Sequence, residues 1–276
     1  MQQLTDTHCH IHEILGPDDP GADEHSVAAR WHQASKTDPA VVIADAQAAG
    51  VTRLICVGCT VVDSQLAVEF VQKRPQCWAS IGMHPHEAAR YQKDTVALAS
   101  FAALAAQPKV VAVGECGLDY YYNHSPKEAQ EKVLRFQLEL AQKHDLPLIF
   151  HIREAFSDFW PIFDDYEGLR GVVHSFTASQ KELDQALARG LYIGQNGIIT
   201  FTKDAAQLAT ARAIPLDRLL LETDAPFLTP TPHRGTICEP KHVYTTGVFL
   251  AELRGESLDD LARATTRNAK TLFGIT

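Results

Sequence analysis

Short apolar runs alternate with longer amphipathic stretches along most of this chain. Short apolar runs bounded by turn residues read as strands covered on both faces, and apolar positions three and four apart read as helices. A first strand ends around Asp6 to His10. The pattern then predicts a helix over Ala40 to Ala49, a strand over Arg53 to Val57, a helix over Val61 to Lys73 and a strand over Cys77 to Met83. A helix over Thr95 to Ala106 and a strand over Lys109 to Gly114 follow. Next come a long helix over Pro126 to His144, a strand over Pro147 to His151, a helix over Ala155 to Tyr166 and a strand over Gly171 to His174. The rhythm continues with a helix over Gln180 to Ala188, a strand over Leu191 to Ile193, a helix over Lys203 to Ala213 and a strand over Arg218 to Glu222. Helices over Lys241 to Leu253 and Leu258 to Leu272 close the chain.

Eight such β/α units in 276 residues predict an α/β fold, a TIM (β/α)8 barrel forming one domain over residues 1–276. A doubly wound open sheet is the runner-up; neither of its nucleotide-binding glycine fingerprints follows the first strand. One segment breaks the rhythm. Ile11 to Pro39 is rich in acidic residues, Pro and Gly, with one short helical candidate near Ser26 to Gln33. It reads as a long loop after strand one, a tolerated surface insertion somewhat more readily than a lid.

Composition narrows the function classes. Hydrophobic residues make up 45% of the chain, enough for a sizeable core. No apolar run approaches the roughly 20 residues of a membrane span. The polar start does not resemble a secretion signal, so cytoplasmic residence is expected. The six cysteines are scattered and read as reduced thiols, with Cys56 and Cys59 a structural pair rather than a zinc knuckle. A net charge of −9 argues against gripping nucleic acid through a broad basic surface. It leaves open an enzyme that holds phosphate through bound cations.

Chemistry collects where a barrel enzyme needs it, at the carboxyl ends of the strands. In Asp6-Thr7-His8-Cys9-His10 the residues two apart share a strand face, so Asp6, His8 and His10 point one way. Other strands end in His84, Glu115, His151 with Arg153, His174, and Glu222-Thr-Asp224. Burying so many ionisable groups together is costly without a compensating cation. Imidazole and carboxylate donors suit Mg, Mn or Zn, and their number suits two divalent ions about 3.5–4 Å apart. We expect His8, His10 and Asp224 on the first ion, Glu115 between the two, and His151 and His174 on the second. Asp224 is the candidate to orient or deprotonate the attacking water, with Asp6 behind His8 and His10. Arg153 is placed to bind a phosphate or carboxylate, or else to form an ion pair. His84 either contacts substrate or caps its own turn. Tyr120, Tyr121 and Tyr122 either pack over the barrel mouth or stack on bases.

Assembled, these motifs resemble the TatD family of metal-dependent deoxyribonucleases. The matching signatures are D-x-H-x-H at Asp6 to His10, G-x-H-P at Gly82 to Pro85, G-E-x-G-L-D at Gly114 to Asp119, H-x-R at His151 to Arg153, H-x-F at His174 to Phe176, E-T-D-A-P at Glu222 to Pro226 and N-x-x-x-L-F at Asn268 to Phe273. The resemblance implies a barrel of the amidohydrolase superfamily with a divalent-metal site. It implies hydrolysis of DNA phosphodiesters, often by 3′→5′ exonuclease action on single-stranded ends, in repair or degradation. The ligands it implies are His8, His10, Glu115, His151, His174 and Asp224, with Glu115 and Asp224 serving catalysis. No membrane contact and no obligate protein partner are expected. Three departures bear on substrate: His12 where the family has Asp or Asn, the long Ile11 to Pro39 segment, and Cys238 where Asn is usual. A small-molecule amidohydrolase or lactonase using the same ligands is the alternative, and a non-enzymatic binding protein on a barrel is a third.

Overall fold

In the computed structural model residues 3–16 and 26–276 are described. Among them eight strands form one parallel sheet in sequential order. They are β1 (Leu4–Cys9), β2 (Val51–Val57), β3 (Cys77–Ile81), β4 (Val110–Asp119), β5 (Leu148–Arg153), β6 (Gly171–Val173), β7 (Tyr192–Gln195) and β8 (Leu219–Leu221). The segment after β8 returns to β1 through the Cys9–Ala225 bridge. Sequential order with that return is a (β/α)8 barrel, as expected. The helices are α1 (Val27–Gln33), α2 (Pro39–Ala48), α3 (Val61–Gln72), α4 (Ala88–Tyr91), α5 (Thr95–Leu104), α6 (Lys127–His144), α7 (Phe156–Asp164), α8 (Gln180–Ala188), α9 (Ala205–Ala213), α10 (Val243–Arg254) and α11 (Leu258–Phe273). No helix among the described residues is long and apolar enough to cross a membrane.

Two compact units divide the chain: Met1–Cys56 with Ser175–Thr271, and Val57–His174 with Leu272–Thr276. In the first, every residue of β1 is buried, as is all of β7 and β8. Leu4, Ile193 and Leu219 to Leu221 are in its core. Asn268 on α11 donates from Nδ2 to the carbonyls of Leu216 and Leu219, both at 2.9 Å, and so ties the last helix to β8. Helix starts follow their side chains: Ser26 accepts from Ala29 N–H, Asp38 from Ala40 N–H and Asp204 from Ala206 N–H. Pro39 sits in the first turn of α2, where its missing N–H has no partner to lose.

In the second unit β4 is the longest strand, and its register against β5 pairs Gly117 with His151 and Asp119 with Arg153. Gly117 has φ of +151°, and a Cβ there would run into the His151 carbonyl, so only glycine lets the two strands approach. Helix α6 buries two amides. Gln137 accepts from Met83 N–H at 2.8 Å and donates to Met83 O at 3.0 Å. Gln130 accepts from Asp119 N–H at 2.8 Å and donates to Asp119 O at 3.0 Å and Ser125 O at 2.9 Å. Each amide therefore satisfies both the N–H and the C=O of one residue at or just past a strand end.

The structure meets the expectation in some places and departs from it in others. Strand β4 runs on to Asp119 rather than ending at Gly114, because β5 continues to pair with it and Gln130 caps its end. The segment after β1 is ordered at its start: Ile11–Leu15 forms a 3-10 turn that buries Ile11, His12 and Ile14. The helical candidate near Ser26 to Gln33 is α1, and residues 17–25 lie outside the described ones. Helix α4 is too short to have left a periodic signal.

The amides of α6 generate a stability test. Gln137→Leu removes both partners of Met83 while keeping the buried volume. It should lower the unfolding free energy by about 2–4 kcal/mol, the sum for two stranded backbone groups, read from urea denaturation.

Candidate metal centre

Within the first unit, backbone hydrogen bonds fix β1 against the turn after β8. Asp224 N–H donates to His8 O and His10 N–H donates to Ala225 O, both at 2.8 Å. His8 and His10 are buried, and Asp224 adopts a left-handed φ of +61° that Asp tolerates better than most residues. The side chains converge as a result. His10 Nε2 lies 3.3 Å and His8 Nε2 3.6 Å from the same oxygen, Asp224 Oδ1. Two imidazole nitrogens and a carboxylate oxygen facing a common point are what three ligands of one ion require.

Asp6 is placed differently from the expectation. Its Oδ1 accepts from Thr223 N–H at 2.9 Å and His8 N–H at 3.2 Å, and its Oδ2 accepts from the Thr223 hydroxyl at 2.6 Å. The carboxylate thus braces backbone rather than an imidazole ring. Complete burial pushes its pKa up to about 8, against the lowering effect of the Thr223 hydrogen bonds. Glu222 also braces backbone, accepting from Ser175 N–H, the residue after His174. Cys238 is buried, and burial, with Asp6 and Asp224 nearby, pushes its thiol pKa up. His12 is fully buried in the 3-10 turn, its ring 6.3 Å from that of His10.

In the second unit three imidazoles face one carboxylate oxygen. From Glu115 Oε1, His151 Nδ1 is 2.7 Å, His84 Nε2 3.6 Å and His174 Nε2 3.9 Å away. His84, Glu115 and His151 form a group able to hold a metal ion. Backbone again sets the positions: Gly82 lies so close to the Glu115 backbone that a Cβ has no room. Cys59 Sγ stands 3.7 Å from Glu115 Oε2, so this cysteine faces the cluster instead of pairing with Cys56.

Behind His151 stands Asp119, fully buried. Its Oδ2 meets His151 Nε2 and His86 Nε2, each at 2.9 Å, while Oδ1 accepts from Tyr121 N–H at 2.9 Å and Tyr122 N–H at 3.1 Å. Burial opposes ionisation of Asp119, but the His151 and His86 hydrogen bonds outweigh it and hold its pKa below the usual carboxylate range. Burial likewise opposes charge on His151. The hydrogen bonds to Asp119 and Glu115 prevail, raising its pKa to about 9. A carboxylate that orients a ligating histidine through its other nitrogen is a recurrent part of metal sites. Asp119 and His86 were not among the expected site residues. For Asp119 the signal was the two-residue spacing Glu115-Gly117-Asp119, which marks one face of a strand; His86 lies in the turn after His84 and had no such signal.

His84 caps its own turn, one of the two roles expected of it. Its Nδ1 accepts from His86 N–H at 3.2 Å and caps the Pro85–Glu87 turn, while Nε2 faces Glu115. An Nδ1 that accepts leaves the proton of a neutral ring on Nε2. Burial and the neighbouring His151 lower its pKa to about 4, so the ring is neutral at pH 7. Arg153 is exposed, its guanidinium 4.1 Å from the Tyr121 ring centre and 4.7 Å from that of Tyr122.

Imidazole and carboxylate donors make up both clusters, with the Cys59 thiol beside the second, and this donor set fits divalent ions of the Mg, Mn and Zn kind. The family profile described as TatD related DNase matches residues 5–274. A 3′-5′ ssDNA/RNA exonuclease TatD from Citrobacter rodentium is 39% identical over 242 residues, covering 85% of this chain and 91% of that one. An uncharacterized metal-dependent hydrolase, YabD of Bacillus subtilis, is 38% identical over 87% of this chain and 94% of its own length. The crystal structure of YjjV, a TatD homolog from Escherichia coli, superposes with a TM-score of 0.83 at 28% identity, covering 99% of this chain and 98% of that one. Strand-end imidazoles and carboxylates, barrel and whole-length similarity agree: the chain belongs to the TatD-related DNase family of metal-dependent hydrolases.

Proposed function

We propose that this protein is a metal-dependent 3′→5′ exonuclease acting on the ends of single-stranded DNA. The observation that carries this reading is the whole-length similarity to enzymes named 3′-5′ ssDNA/RNA exonuclease TatD, at 39% and 37% identity. Two divalent ions are proposed, one held by His8, His10 and Asp224, the other by Glu115, His151 and His174. When bound, such ions neutralise a phosphodiester and lower the pKa of water so that it can attack at neutral pH.

The side chains divide the remaining work. Asp224, partly open to solvent, orients the attacking water and takes its proton. Glu115 fixes the second set of ligands through its shared oxygen. His84, neutral and protonated on Nε2, donates to a phosphate oxygen. Arg153 supplies positive charge at the edge of an otherwise acidic chain. Asp119 keeps His151 turned toward Glu115. Action in DNA repair or turnover, in the cytoplasm, follows from this reading, and a single domain accounts for the chain.

The decisive assay is hydrolysis of 3′-labelled single-stranded DNA with Mg2+, Mn2+ or Zn2+. Cleavage should be abolished by chelation and restored by adding back the ion. Glu115→Gln and His10→Ala should each reduce kcat by 10³-fold or more, an effect on the scale of losing a principal catalytic interaction. Absence of cleavage together with hydrolysis of a lactone or small ester would replace this reading with the small-molecule hydrolase.

Proton linkage provides a further test. In the metal-free protein His151 carries its proton between Glu115 and Asp119 up to pH about 9. The stability this adds is fully present below the ordinary imidazole pKa and is lost as pH rises through about 9. An ion taken up by the pair must displace that proton. Calorimetric titration with Mn2+ in buffers of different ionisation enthalpy should therefore show proton release at pH 7. Affinity should rise as pH increases toward 9, and Asp119→Asn should weaken this dependence.

A further inference from the structure

The loop after β4 presents two tyrosines in an unusual way. Tyr121 and Tyr122 are 52% and 49% exposed, although aromatic rings normally find cover. Their rings meet edge to face at 4.8 Å. Tyr122 stacks on His124 with only 18° between the ring planes. The Arg153 guanidinium lies within 5 Å of both tyrosine ring centres.

The backbone beneath them is firmly held. Tyr120 N–H donates to Arg153 O at 3.0 Å. Tyr121 and Tyr122 N–H both donate to Asp119 Oδ1. Ser125 donates from its hydroxyl to His86 O at 2.7 Å and accepts from Ala89 N–H at 2.9 Å. Tyr120, by contrast, is half-buried, with its hydroxyl bonded to Asp158 and Lys127 over its ring. Packing therefore explains Tyr120 and leaves its two neighbours unexplained.

We propose that Tyr121 and Tyr122, with Arg153 across them, form a stacking platform for an unpaired nucleobase of the strand being degraded. The proposal rests on the nuclease reading above and names what selects the substrate. Half-exposed aromatic rings with a guanidinium over them can take bases of any sequence, because every base has a π face, and the cation answers the adjoining phosphate. The platform also lies against the candidate centre. Asp119 carries the tyrosine N–H groups on one oxygen and His151 on the other. A base seated on the rings thus keeps its neighbouring phosphodiester beside the strand ends of β4 and β5. A base inside a duplex offers no free face, so the platform favours single strands.

The test compares 5′-labelled oligonucleotides that end, at the 3′ side, in ordinary nucleotides or in abasic tetrahydrofuran units. The intact protein loaded with Mn2+ should prefer the base-bearing end by at least fivefold in KM, the lower end of stacking effects. Tyr121→Ala/Tyr122→Ala should erase that preference. Tyr121→Phe/Tyr122→Phe should retain it, since the ring faces remain. Circular dichroism of the alanine variant checks that the loop change leaves the fold intact. A wild-type enzyme indifferent to abasic ends, or an alanine variant that keeps the preference, overturns the platform while leaving the nuclease reading standing. A wild-type enzyme that cleaves neither oligonucleotide ends both.

Discussion

A carboxylate without access to water can stay ionised only if its oxygens are spoken for, and Asp119 shows what that demands. Four donors meet it: two imidazoles on one oxygen and two backbone N–H groups on the other. Desolvation pushes its pKa up, and hydrogen bonds from His151 and His86 outweigh that push and bring it below the usual carboxylate range. Satisfying Asp119 fixes the ring plane of His151, and through it the nitrogen that faces Glu115. The same requirement turns the chain after β4 into a tight loop, because the N–H groups of consecutive residues must reach one oxygen. Ligand orientation and loop shape are therefore consequences of one buried charge.

Both units solve the positioning problem in the same order, backbone first. In the first, His8 O and Ala225 O are engaged by the opposing chain before any side chain is considered, and Asp6 then seals Thr223. In the second, Gln130 and Gln137 hold the ends of β4 and β3 from α6. Ligand geometry must be kept to a fraction of an ångström. Loose strand ends could not provide that, because their last peptide groups have no ladder partner. The buried amides and Asp6 supply the missing partners, which is why polar side chains are tolerated in these interiors.

Much of the architecture was legible because parallel sheets covered by helices leave a strong rhythm of apolar runs. Strand ends were readable to within a few residues, and His8, His10, Glu115, His151, His174 and Asp224 stood out as ionisable groups closing apolar runs. The reading faltered where a strand stops being apolar. β4 continues through Glu115, Gly117 and Asp119, whose polar character looked like loop, so Asp119 was seen only as part of a motif and given no role. Asp6 was read as facing the imidazoles, but side-chain alternation says which face a residue takes and not which neighbour it bonds. Gln130 and Gln137 were invisible for another reason: an amide on an amphipathic helix looks like surface until the partner chain is known. Cys56 and Cys59 are free thiols, as expected, but C-x-x-C spacing carried no information that Cys59 faces Glu115.

A net charge of −9 is a poor match for a polyanion unless positive charge is concentrated where the strand must lie. The structure favours a local answer over a general one. Imidazole and carboxylate clusters could hold divalent cations, and on the proposed reading each would offset more phosphate charge than a lysine, at the reacting bond. Arg153 adds a guanidinium at the rim, aligned by two rings rather than neutralised by contact with them. On the proposed nuclease reading, a net negative chain offers a strand little general attraction, so its end would be held mainly where the ions bind. On this electrostatic argument, selectivity for ends needs no obstructing wall: attraction is confined to the place where hydrolysis occurs, and raising the salt concentration should change it less than it would for a protein that binds through a basic surface.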